Sequence, residues 1–275
     1  VQIAHYYLSL LAAMGALMCV PSEPAPKGDK SRESDQAYRP SDLSFKRARA
    51  RAVPDKSIAS ATPKTLALDA GTPPRESPLI TKPYVEHFDA PKLSADWNIT
   101  SPAWRLDDGR LCARAARNHP AWLMRRLPRN ARITFTAESD SESGDLKVEA
   151  WGDGRSGATS ISYTNATSYL FILGGWKNQL HVLARLDEHG RDRLERRINP
   201  SSTDQRDQRV VPGTKYHFQI ERSDGRTLSW LVNGVEMHRL VDPDPLFGPG
   251  HDHLGFNDWD VRACFDDLSI IPLPN

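Results

Sequence analysis

Tyr169-Leu-Phe-Ile-Leu-Gly-Gly-Trp-Lys-Asn-Gln-Leu-His-Val-Leu-Ala-Arg-Leu-Asp-Glu-His-Gly190 is the stretch whose reading decides the fold. Five apolar residues, Tyr169 to Leu173, are long enough for one buried strand. Gly174-Gly175 then break the run, as a tight turn or a bulge does. Beyond them Leu180, Val182, Ala184 and Leu186 alternate with His181, Leu183, Arg185 and Asp187. That period of two is a half-buried strand, with Leu183 the exception on the polar side. Leu180, Leu183, Ala184 and Leu186 also partly fit a helical face, and Leu, Ala, Arg and Glu favour helix. The rest of the chain tips the choice towards a hairpin in a sheet.

Working outward, short apolar runs recur between turn signals. Asp107-Asp108-Gly109 separates Trp104-Arg-Leu from Arg110-Leu-Cys-Ala-Arg114, a hairpin signature. Ala131 to Ala137 places Ile133 and Phe135 on one face. Asp145 to Trp151 alternates and ends at Gly152-Asp153-Gly154, and Ser160-Ile-Ser-Tyr163 reads as another short strand. Arg191 to Gln208 is charged and reads as a long loop. Lys215 to Arg222 puts Tyr216, Phe218 and Ile220 on one face. Thr227 to Val232 then meets Asn233-Gly234, the preferred two-residue hairpin turn, and Val235 to Leu240 returns. Convincing helices are scarce, so the expected class is all-β, an antiparallel sandwich.

The N-terminal third differs. Tyr6 to Val20 is one apolar run, short for a membrane span but of the length of a signal-peptide core. Residues 1–20 therefore read as a signal peptide. Cys19 at its end resembles the acylated cysteine of a bacterial lipoprotein, although Met18 precedes it and no Lys or Arg precedes the run. Lipoprotein anchoring through Cys19 and plain secretion are both open, and either makes the chain extracytoplasmic. Residues 21–82 are rich in Pro, Ser and charge, cannot bury enough apolar area to offset ordering, and read as a disordered linker. Their basic patch, Lys46-Arg47-Ala48-Arg49-Ala50-Arg51, reads as solvated charge. Residues 83–275 remain for a single β domain. The net charge of +1 supplies no global field for nucleic acid or lipid. Membrane contact is expected only through the N-terminal lipid or signal.

Trp230-Leu-Val-Asn-Gly234 with its return strand, His253-Leu-Gly-Phe-Asn257 and the final Phe265-Asp-Asp-Leu-Ser-Ile270 resemble the closing strands of concanavalin A-like jelly rolls. That superfamily holds laminin G-like modules, legume-type lectins and several glycanases. The resemblance covers roughly residues 88–272 and implies a jelly-roll sandwich. It also implies that first and last strands share a sheet, so that Cys112 would face Cys264. A disulfide there would suit an oxidising compartment and leave Cys19 for lipid; two buried free thiols are the alternative.

Glycanases of this superfamily carry alternating carboxylates on one strand, since alternate residues enter one cleft and two carboxyls must flank the scissile bond. Here Asp145, Glu149 and Asp153 are spaced by four, and Lys147 stands where a carboxylate is needed. Asp145 and Glu149 would lie roughly 13 Å apart, too far for the usual pair. Asp266 and Asp267 are adjacent and point to opposite faces. A denser polar set is Arg185, Glu188 and His189, with Trp176 and Asn178 beside the turn. There Trp176 and Trp259 would stack on sugar rings, and Asn178, Arg185, Glu188 and His189 would bond hydroxyls. The alternatives are a glycoside-processing enzyme with Glu188 as acid and His189 as base, or a structural or protein-binding envelope module. His251-Asp252-His253 is a weak metal motif. Asp258 and Asp260 with backbone oxygens would hold Ca²⁺, a feature the resemblance implies, though no other cofactor is called for. The leading expectation is a module that binds a polysaccharide or other glycan.

Overall fold

The structure is a computed structural model that describes residues 77–275. Cys19, the expected signal segment, the basic patch and most of the expected linker lie outside the described residues. Strands follow in the order β1 (Tyr84–Glu86), β2 (Trp97–Ile99), β3 (Arg105–Leu106), β4 (Leu111–Arg114), β5 (Ala121–Leu123), β6 (Ala131–Ser139), β7 (Leu146–Gly152) and β8 (Tyr169–Gly174). Then come β9 (Leu180–Arg185), β10 (Leu194–Arg197), β11 (Lys215–Arg222), β12 (Thr227–Val232), β13 (Val235–Val241), β14 (His253–Asn257) and β15 (Arg262–Pro272). One short 3-10 turn, Gln205–Asp207, precedes β11.

Two antiparallel sheets pack face to face. The first runs β13-β12-β11-β6-β15-β4-β3, with β1 also on β15; the second runs β10-β9-β8-β7-β14-β5-β2. This is an antiparallel jelly-roll sandwich, all-β as the patterning requires. Period-two alternation supplies the core. From the first sheet come Ile133 and Phe135 of β6, Phe218 and Ile220 of β11, Leu228 and Trp230 of β12, and Phe265, Leu268 and Ile270 of β15. Phe256 of β14 stacks on Phe265 with ring centroids 4.4 Å apart and meets Phe135 edge-on at 5.1 Å, joining the sheets. Both two-residue hairpins close with left-handed backbone, Asp108-Gly109 (φ 51° and 67°) and Asn233-Gly234 (φ 50° and 79°), as such turns need.

Three local expectations change. Leu183 is no exception: it faces the core beside Phe171, while Leu180, Val182 and Ala184 face outward and are buried as well. Both faces of this sheet are covered, so alternation loses its polar half. Ser160 to Tyr163 is not a strand but part of the segment that covers the outer face, with Tyr163 fully buried. Arg191 to Gln208 is not all loop: Leu194–Arg197 pairs with β9 as a charged edge strand. One leucine among Glu195, Arg196 and Arg197 gives no apolar period, and charge is what protects an edge. Packing also begins before residue 83, since Ile80 is buried and bonds to the Arg126 carbonyl.

Cys112 and Cys264 sit opposite each other on β4 and β15 and are joined by a disulfide.

Candidate functional site

The outer face of the second sheet carries a buried polar line beside its apolar cluster. The parity of β7 sends Lys147 and Glu149 outward, beside Gly255 and Asn257 of β14. Residues 153–168 lie over them. Glu149 accepts from the Tyr163 hydroxyl (3.0 Å), from Asn257 Nδ2 (2.7 Å) and from the Ser168 hydroxyl. Burial pushes its carboxyl up to about 7, although these donors and Lys147 pull the other way. Lys147 Nζ donates to Asn118 Oδ1 (2.6 Å) and to Glu188 Oε2 (2.8 Å). Burial penalises this ammonium, but Glu188 and Asp145 outweigh it and raise its pKa. Lys147 and Glu149 are therefore sealed under the cover and internally satisfied.

A cleft of about 480 Å³ opens where the cover, the β8–β9 reversal and the β14–β15 connection meet. The reversal is left-handed. Gly174 (φ 73°) is followed, after Gly175, by Trp176, Lys177 and Asn178 at φ 52°, 58° and 62°. Side-chain-bearing residues in this region cost roughly 1–2 kcal/mol each, so something must hold them. Asn178 does so from beneath. Its Nδ2 donates to the carbonyls of Glu142 (3.0 Å) and Val210 (2.8 Å), and its Oδ1 accepts from the Val210 amide (3.0 Å). A Cβ on Gly174 would approach Val210 to 2.6 Å, so the turn is also closely packed.

The turn delivers Trp176 and Lys177 to the cleft, which Trp259 also lines. Of the seven tryptophans, Trp97, Trp104, Trp122, Trp151 and Trp230 are buried; only Trp176 and Trp259 are partly exposed. Each carries a guanidinium on its ring: Arg193 at 4.6 Å from the Trp176 centroid, Arg117 at 4.8 Å from that of Trp259. His189 meets Trp176 edge to face at 5.7 Å. Ile161 and Ser162 of the cover complete the rim.

The carboxyls of the cleft are all engaged. Glu188 pairs with Lys147. Asp260 pairs with Arg117 at 2.8 Å. Asp145 accepts the Trp259 amide at 2.9 Å, and burial raises its pKa against the pull of Lys147. Asp258 lies behind the wall, fully buried, accepting from the amides of Ala116 (2.9 Å) and Val261 (3.1 Å); burial raises it to about 6. Asp258 thus anchors a loop while Asp260 faces an arginine, and no group of three or more His, Cys, Asp or Glu suited to a metal occurs among the described residues.

The expected residues divide accordingly. Trp176, Glu188, His189, Trp259 and Asp260 come together in the cleft. Asn178 supports the turn from inside. Arg185 does not join Glu188 and His189. It has the parity of Leu183, and its Nε bonds Asp242 Oδ2 (2.9 Å) while Nη2 bonds the Asp244 carbonyl (3.0 Å). Sequence reasoning missed Asn118, Ile161, Ser162 and Lys177 in the cleft. Lys177 stood next to Trp176 in plain view; the others are brought there by non-local packing.

The chain is thus a jelly-roll β-sandwich with a tryptophan-walled cleft at the rim of one sheet. No protein-family model matches it, and no curated protein does. Solved structures resemble it at low identity. A carbohydrate-binding module, CBM66 of Bacillus subtilis, is 13% identical with a TM-score of 0.47, over 66% of this chain and 100% of that one. A putative glycosyl hydrolase from Parabacteroides distasonis is 12% identical (TM-score 0.45; 66% and 91%). A Bacillus subtilis protein of unknown function with a galectin-like fold is 12% identical (TM-score 0.44; 68% and 94%).

Proposed function

We propose that this chain is an exported carbohydrate-binding β-sandwich that holds a glycan between Trp176 and Trp259. One observation carries the reading: the two tryptophans of seven that are not buried both line one cleft. Sugar rings present flat C–H faces to indoles, and a few polar groups at the rim fix orientation. His189, Ser162 and Glu188 supply those groups here. The disulfide between Cys112 and Cys264 supports an oxidising compartment. A glycoside-processing enzyme is the second reading. It draws on Asp145 and Glu188, two carboxyls of one cleft in unlike surroundings, the first with a raised pKa and the second ion-paired.

The full chain, titrated with a panel of polysaccharides, tests both. Indole fluorescence follows binding while released reducing ends follow turnover. Saturable binding without release, weakened about tenfold in Trp259→Ala, is the expected result. Release that stops in Glu188→Gln with binding kept would make the chain an enzyme. Binding to no polysaccharide, or binding indifferent to Trp259→Ala, overturns the carbohydrate reading.

A further inference from the structure

The ionic groups around the cleft are unevenly committed. Of the carboxylates that line the cleft, Glu188 pairs with Lys147 and Asp260 with Arg117; outside the lining, Glu195 pairs with Arg193 at 2.8 Å. Asp145 is buried and accepts an amide. The two arginines are spent twice, on a carboxylate and on an indole face. Two basic side chains remain. The ammonium of Lys177 is exposed and has no hydrogen-bond or ion-pair partner among the described residues. The His189 ring is exposed and stands at a right angle to the Trp176 ring, 5.7 Å between centroids.

The backbone explains how Lys177 comes to be there. It is the middle residue of three that hold left-handed conformation, a state lysine seldom adopts. The Asn178 clamp maintains it, and in doing so sets an ammonium directly after the stacking indole. Unfavourable backbone that the surroundings enforce is typical of ligand clamps. An ammonium offers three donors and no acceptor, so it answers an anion better than a hydroxyl, which also needs its own proton received.

We infer that the cleft takes an anionic saccharide, one whose ring carries a carboxylate or a sulfate ester, with the indoles on the ring and Lys177 and His189 on the anion. This rests on the carbohydrate reading of the same cleft. The pairing of Glu188 and Asp260 with cations lessens the repulsion that such a ligand would otherwise meet.

Fluorescence titration of the full chain at low salt tests it, with dextran, dextran sulfate, polygalacturonate and, as a polyanion without sugar, polyglutamate. Lys177→Asn removes the charge and keeps a residue at home in left-handed backbone, and Lys177→Arg keeps the charge. At least one acidic saccharide should bind about tenfold more tightly than dextran. Lys177→Asn should abolish that preference, Lys177→Arg should retain it, and added salt should weaken it. Preference for dextran sulfate or for polygalacturonate assigns the anion as sulfate or carboxylate. Dextran binding as tightly as both acidic polymers, or a preference untouched by Lys177→Asn, overturns the anionic inference and leaves the carbohydrate reading standing. Polyglutamate binding as well as polygalacturonate overturns it too, as mere charge contact. If no saccharide binds, both readings fall together.

Discussion

Glu149 shows what a single residue can gain from its cover. Its folded pKa of about 7 stands above the ordinary 4.5. Between those values the native state keeps a proton that the unfolded chain releases. The contribution of Glu149 to stability is therefore complete at low pH and is lost as pH rises towards about 7. Asp258, raised to about 6, has the same sign. His181 opposes them: burial lowers it to about 4, so its contribution is lost as pH falls from 6.5 towards that value. The informative quantity is thus a difference. Glu149→Gln should flatten the fall in melting temperature between about pH 5 and about 7 relative to the parent protein, as thermal unfolding would read. Equal slopes in the two proteins would show that the buried carboxyl does not carry this titration. At this scale the two tryptophans that line the cleft were legible, because Trp176 and Trp259 sit beside turn-forming and polar neighbours. Glu149 and Lys147 were not, because alternation alone shows the face of a residue and says nothing of a cover that arrives from elsewhere in the chain. Arg185 was misplaced by sequence proximity to Glu188, where strand parity sends it to Asp242.

Among the elements, the left-handed reversal between β8 and β9 is the one on which the cleft depends. Asn178→Ala removes three hydrogen bonds at a buried position and puts alanine where φ is positive. A loss of about 2–4 kcal/mol is expected in urea unfolding. Indole emission should also shift as Trp176 leaves its place against Arg193. Stability within ~0.5 kcal/mol of the parent would mean that the turn holds itself without the clamp. The reversal was legible from Gly174-Gly175, but not its handedness, since Trp and Lys carry no local preference for such backbone. The edge strand β10 escaped notice for a related reason: pairing gives it its shape, and its side chains carry charge instead of a pattern.

For the whole molecule, the disulfide ties residues 152 apart in sequence across neighbouring strands. Closing so long a loop restricts the unfolded chain, and the double replacement Cys112→Ala with Cys264→Ala should cost roughly 3–5 kcal/mol. Urea midpoints of the parent, with and without reductant, would be compared with the double variant. A parent whose midpoint matches the variant under non-reducing conditions would show that the bond contributes nothing. Sandwich class was legible because hairpin turns and period-two runs are local. Sheet order was not, for β15 pairs with β6 some 130 residues away and no short stretch encodes such a partnership.

That partnership bears on how the protein is made. The final strand, eleven residues long, lies in the interior of its sheet, between β6 and β4, and not at a border. While the polypeptide is still being synthesised, both neighbours keep open hydrogen-bonding edges and Cys112 has no mate. The first sheet can knit together only after residue 272 has emerged, so the folding of that sheet waits on this strand. Shortened versions that lack those eleven residues would expose two adhesive edges and a lone thiol. Any dissection of the gene product should keep residues 262 to 272 with the strands they join.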